Sequence, residues 1–180
     1  ASRILINGDL KNEFRTRYAE RDEIKEFIDF LEEDFDEIIL IEGNHDTMVE
    51  STVKETGHEL VERHLEEEIL FTHGHRSMDS LTEDFETIVL GHEHPALALE
   101  DEIGVKEKLA CFLYGKNRNG KKMIVMPAYS MVSNGTSVNE VPESELLSPL
   151  LSNLIDKDEM RAVGVSREAG LMKFPEIGKF

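Results

Sequence analysis

The chain has 180 residues, 38 of them acidic and 20 basic, for a formal charge of −18. That length buries a sizeable core, and a single domain over 1–180 is expected. The acidity describes a solvated surface and excludes a long-range basic footprint for nucleic acid, so a polyanionic substrate needs metals or a local basic patch to hold it.

Taken in chain order, the first apolar run is RILINGDL (3–10), which ends on Gly8-Asp9. Ile24, Phe27, Ile28, Leu31 and Phe35 then fall at i, +3, +4, +7 and +11, predicting a helix over 20–34 with one apolar face. A strand over 37–41 runs into Gly43-Asn44-His45-Asp46. Asp46 or Thr47 is expected to cap a second helix that ends near Gly57, a left-handed position. Strands follow near 59–62, 68–72 and 87–90, with a short helix around 78–84. The second half is strand after strand: ALALEDEIG, EKLACFLYG, KKMIVMPAY, RAVGVSR and GLMKFP, separated by turn residues. GKNRNGKK (115–122) has the composition of a hairpin tip, and SELLSPLL (144–151) that of one or two helical turns interrupted by Pro149. Strands with helical crossovers followed by a run of strands suggest two packed sheets with helices outside.

No apolar run approaches the ~20 residues a membrane span requires, and no signal peptide is visible at Ala1. Cys111 is alone, which excludes an intrachain disulfide and favours a reducing, cytoplasmic setting. Its strand-like surroundings make it a small buried hydrophobe rather than a nucleophile. Lys116, Arg118, Lys121 and Lys122 form the dense basic cluster, either a solvated hairpin tip or a contact for a polyanion.

The chemistry lies in four stretches of one grammar: RILINGDL, IILIEGNHDTMVE, EILFTHGHR and TIVLGHEHP. Each ends an apolar strand on metal-ligand residue types, where ligands gather in open α/β sheets. They deliver Asp9, Asn44, His45, Asp46, His73, His75, His92 and His94, including five of the seven histidines. A turn needs Gly, Asn or Asp but has no use for an imidazole. Carboxylate, imidazole and amide oxygen together suit first-row divalent metals. Singly each motif is weak, since Gly-Asp is usually only a turn; jointly they are strong. His58 and His64 lie in Glu-rich sequence and are expected to be solvated.

The order GD…GNHD…HGH…GHxH resembles the calcineurin-like metallophosphoesterases. GHEHPALAL, CFLYG, MPAYS and GTSVNE…LLSPLL further resemble the small archaeal phosphoesterases related to the SbcD nucleases, over about Ile4 to Phe174. The resemblance implies a four-layer αββα sandwich, two packed mixed sheets flanked by helices, with two divalent metals at one end. Manganese is expected first, with Fe, Zn, Ni or Co as alternatives. Carried over by position, Asp9 bridges the metals, Asn44, His73 and His92 hold one of them, and His94 holds the other. His45 contacts the phosphate and protonates the leaving oxygen, Asp46 orients it, and His75 is a further phosphate or outer contact. The implied reaction is phosphoester hydrolysis, a phosphodiesterase more than a monoesterase, with a hydroxide shared by the two metals attacking phosphorus in line. Its substrates are a phosphate-ester small molecule or a short nucleic acid, with no membrane partner, and a homo-oligomer is compatible. The 130–140 segment, with a tight turn at Asn134-Gly135, lies near the site in that family.

One departure matters. The family normally opens with an earlier strand ending in Asp-x-His, and no Asp-x-His occurs here; no histidine follows His94. The His94 metal then keeps only Asp9 and His94, and the sandwich is expected to lack its first motif strand. Three explanations stand: an N-terminally incomplete sequence, a one-metal or metal-free binding module on the same scaffold, or a second chain that donates the strand.

Overall fold

A computed structural model describes residues 2–11, 18–77, 81, 83–130 and 133–180. Among them the chain is mixed α/β, with two sheets and three α-helices, strand outweighing helix. The chain divides into two compact units, Ala1–Leu65 with Phe71–His73, and Glu66–Leu70 with Gly74–Phe180.

The first unit carries β1 (Arg3–Asn7), α1 (Tyr18–Asp34), β2 (Glu37–Ile41), α2 (Glu50–Glu55) and β3 (Leu60–Val61). The three strands are parallel in the order β1-β2-β3, each crossover made by a helix, as parallel pairing demands. Its core joins Ile24, Ile28 and Leu31 of α1 to Ile38, Leu40, Val49 and Val53. Each such aliphatic side chain contributes about 2 kcal/mol when fully buried. Phe27, placed on the same face by spacing, is instead 40% exposed, so the buried stripe is narrower than the sequence suggested.

Gly57 is left-handed at φ 84, just past the C-cap of α2, as expected. The start of that helix differs: its N-cap is Val49 with no side-chain hydrogen bond, because the Asp46 carboxylate is spent elsewhere. His58 and His64 are half-buried rather than solvated, and His58 Nε2 sits 2.9 Å from Glu32 Oε1.

The second sheet adds β4 (Arg63–Glu66), β5 (Ile69–Thr72), β6 (Thr87–Leu90), β7 (Pro95–Glu100), β8 (Lys106–Lys116), β9 (Lys122–Val125), β10 (Thr136–Ser137), β11 (Arg161–Ser166) and β12 (Gly170–Glu176). Its order is β10-β7-β8-β9-β6-β5-β4, with β11 beside β8 and β12 beside β11. The two short strands β4 and β10 had no distinct sequence signal. β8 is long because its first half pairs with β7 and its second half with β9 and β11. The core of this unit holds Leu70, Ile88, Leu90, Leu97, Leu113 and Val125, packed with Leu150, Leu151 and Leu154 of α3 (Pro149–Leu154).

Pro149 begins α3 rather than interrupting a helix: it occupies the first turn, where a missing N–H costs nothing, behind the N-cap Ser148. The expected helix at 78–84 falls partly on 78–80 and 82, outside the described residues. The hairpin tip holds: β8 and β9 pair up to Lys116 and Lys122, and Asn117 N–H donates to Lys121 O. Within it, Arg118 pairs with Glu143 and Lys121 with Asp84, both at 3.0 Å, so half the basic cluster is already neutralised. Among the described residues no helix is long and apolar enough to cross a membrane.

Cys111 is fully buried, and burial alone pushes its thiol up to about 12. Only the thiolate is nucleophilic, so a thiol reagent at pH 8 should label this cysteine at the rate at which the chain unfolds. Labelling of the folded chain within seconds would contradict that burial.

Candidate metal centre

The parallel register pairs Asn7 with Ile41, so the turns after β1 and β2 leave the same end of the first sheet. Asp9 sits at φ 57, a left-handed conformation that Asp tolerates better than most residues. Its backbone N–H donates to Asp46 Oδ2 at 2.9 Å, Leu10 N–H to Oδ1 at 2.8 Å, and Gly43 N–H to Oδ2 at 2.7 Å. In return His45 N–H donates to Asp9 Oδ1 at 3.0 Å. The buried Asp46 carboxylate therefore clamps two loops together, and its hold on His45 acts through the turn both residues share. Burial pushes its carboxyl up; the Gly43 N–H opposes this, the Asp9 charge reinforces it, and the Leu10 and Asp9 N–H groups oppose it further.

The loops touch so closely that two glycines are steric requirements. A Cβ on Gly43 would lie 2.1 Å from Asp9 Oδ1 and 2.2 Å from Asp9 N. One on Gly8 would lie 2.2 Å from His73 Nδ1.

His73 follows β5 and is 1% exposed. Its Nδ1 lies 2.9 Å from Asn7 O, a carbonyl that can only accept, so Nδ1 carries the proton. Nε2 then faces Asp9 Oδ2, 3.3 Å away, and Asn44 Oδ1, 3.2 Å away: protonated, it is the donor that bonds Asp9; neutral, it presents a lone pair to a cation. A carboxylate oxygen, an amide oxygen and an imidazole nitrogen thus converge, and three electron-pair donors at this spacing repel unless a proton or a cation lies among them. Burial disfavours charge on both Asp9 and His73, but their hydrogen bond and attraction outweigh it. Asp9 is held below the usual carboxylate range and His73 above the usual imidazole range. A second ring nitrogen fixed by a carbonyl is the ordinary arrangement of a metal-ligating histidine.

In the second unit, β5 and β6 deliver the remaining histidines. The rings of His75 and His92 meet edge to face at 6.1 Å, and Arg76 Nε donates to His75 Nε2 at 3.3 Å. His94 stands at φ 48, with Nδ1 3.1 Å from Ser133 Oγ, so the 130–140 segment does reach this histidine. Between His92 and His94, the Glu93 side chain is fully buried.

Within the first unit, Asp9 and His73 each offer one ligand atom to a metal ion, and in the second unit His92 offers one. Two metals had been expected; among the described residues these donors make up one metal-capable group of His, Cys, Asp or Glu, and His94 is not in it. Nothing in the residue pattern pointed to the Asn7 carbonyl or Ser148 as partners, and Ser133 was marked only as part of the 130–140 segment. A backbone carbonyl has no residue signature, and a serine far along the chain becomes relevant only once folded. No family model matches this chain, nor does any curated protein or any solved structure.

Proposed function

We propose that the chain is a metal-dependent phosphoesterase acting on phosphodiesters, built on the αββα scaffold of the calcineurin-like enzymes it resembles in motif order. The observation that supports it best is the convergence of Asp9 Oδ2, Asn44 Oδ1 and His73 Nε2, with Nδ1 of that ring tied to Asn7 O. Asp9, Asn44 and His73 of the first unit hold an ion, manganese first; the resemblance adds His92 and His94 as ligands. When bound, divalent ions in such a site polarise phosphoryl oxygens and make hydroxide available near neutral pH.

The chain's own residues do the rest. His45, on the loop clamped by Asp46, protonates the departing oxygen, while Asp46 keeps that loop against Asp9. General-acid help of this kind contributes about 10²–10⁴-fold. His75, whose ring meets that of His92 edge to face, is the further phosphate or outer contact that the resemblance implies. The ion pairs of Arg118 and Lys121 leave little basic surface for a polynucleotide, which favours a small phosphodiester or a short nucleic acid over long DNA. Cytoplasmic placement fits the single buried thiol.

Hydrolysis of bis(p-nitrophenyl) phosphate stimulated by Mn²⁺ tests the reading. His45→Asn should lose turnover by about 10²–10⁴-fold while still binding Mn²⁺. Unchanged turnover removes the proton-donor role. Among the described residues one metal-capable group is found, which favours a second reading, a one-metal binding module. Metal binding without hydrolysis across Mn, Fe, Zn, Ni and Co would establish that module instead.

A further inference from the structure

Glu93 lies between two candidate ligands, His92 and His94, yet its side chain is 0% exposed and points into protein. Its Oε2 accepts the Ser148 N–H at 2.9 Å. Ser148 is equally buried, and its Oγ–H donates to Gly74 O at 2.7 Å while accepting the Leu151 N–H at 3.2 Å as the N-cap of α3. Gly74 is the residue between His73 and His75. A second bond, from Thr136 Oγ1 to the Glu93 carbonyl at 3.1 Å, holds the backbone of the same turn. One serine therefore joins the turn that bears His92 and His94 to the turn that bears His75. Both are anchored on a helix whose Leu150, Leu151 and Leu154 are in the core.

An apolar side chain of similar size would fill this place without the cost of desolvating a carboxyl group. What a carboxylate adds is a directional link, and directional links are what ligand histidines need to keep their nitrogens aimed. We propose that Glu93 and Ser148 are positioning residues for the histidine ligands, bracing the 92–94 turn and the Gly74–His75 turn through the start of α3. The proposal rests on the metal reading above and adds two residues that the motif pattern does not assign.

The test measures Mn²⁺ affinity of the full chain by titration calorimetry, with the melting temperature of the metal-free chain followed in parallel. Ser148→Ala and Glu93→Ala should each lower affinity about 10–100-fold, the range found when an outer partner of a ligand is removed. Glu93→Gln keeps an oxygen that can accept the Ser148 N–H and should restore most of the affinity. The double alanine variant should lose little more than either single one, because both break the same link. Alanine variants that bind Mn²⁺ as the parent does, whatever their melting temperatures, overturn the proposal alone. So does a Gln variant that loses affinity in proportion to its fall in melting temperature. A parent chain that takes up no Mn²⁺ overturns the metal reading first and this proposal with it.

Discussion

Replacing His73 by alanine should lower the affinity of the chain for Mn²⁺ by more than about 100-fold, beyond what loss of an outer partner costs. The ring supplies the nitrogen donor that faces both Asp9 Oδ2 and Asn44 Oδ1. Asp9→Asn separates charge from shape. It retains an oxygen near His73 but removes the negative charge that makes a cation favourable there, so its loss should be of similar order. Calorimetric titration of both variants beside the parent decides the matter. If both bind Mn²⁺ as the parent does, the convergence of Asp9, Asn44 and His73 is an ordinary buried hydrogen-bond cluster.

Gly43→Ala is expected to destabilise the chain by about 3 kcal/mol or more, the upper range for overpacking a closely fitted site. The added methyl would overlap Asp9 Oδ1 and also Asp9 N, which is backbone and cannot swing away. Relief requires the 43–46 loop to part from the 8–10 loop, and that breaks the bonds from Asp9 and Leu10 to the Asp46 carboxylate. Gly57→Ala provides the contrast. Nothing lies within 4 Å of a Cβ at Gly57, so only its left-handed φ of 84 opposes alanine. That penalty is about 1–2 kcal/mol. Urea unfolding with unchanged slope should rank the two variants in that order, and only Gly43→Ala should also lose Mn²⁺ binding. An equal cost for both would mean that loop contact is not what Gly43 serves.

Local pattern was sufficient for several features of this protein. The spacing of Ile24, Ile28 and Leu31 located α1, and apolar runs located β1, β2, β5 and β6. Gly57 marked the end of α2, and the polar tip between β8 and β9 marked a hairpin. The candidate ligands Asp9, Asn44 and His73 were legible as candidates because each lies just past a strand, and strand ends are set by nearest neighbours in sequence. Other features depended on contacts across the chain. Asp46 looked like a helix cap because such a cap uses the next few residues; besides Gly43, its partners Asp9 and Leu10 lie 37 and 36 residues away. The proton on His73 is placed by Asn7 O, 66 residues distant, and Glu93 meets Ser148 across 55. Residue type and period determine which groups can bond, whereas strand register and the closeness of two loops determine which of them do.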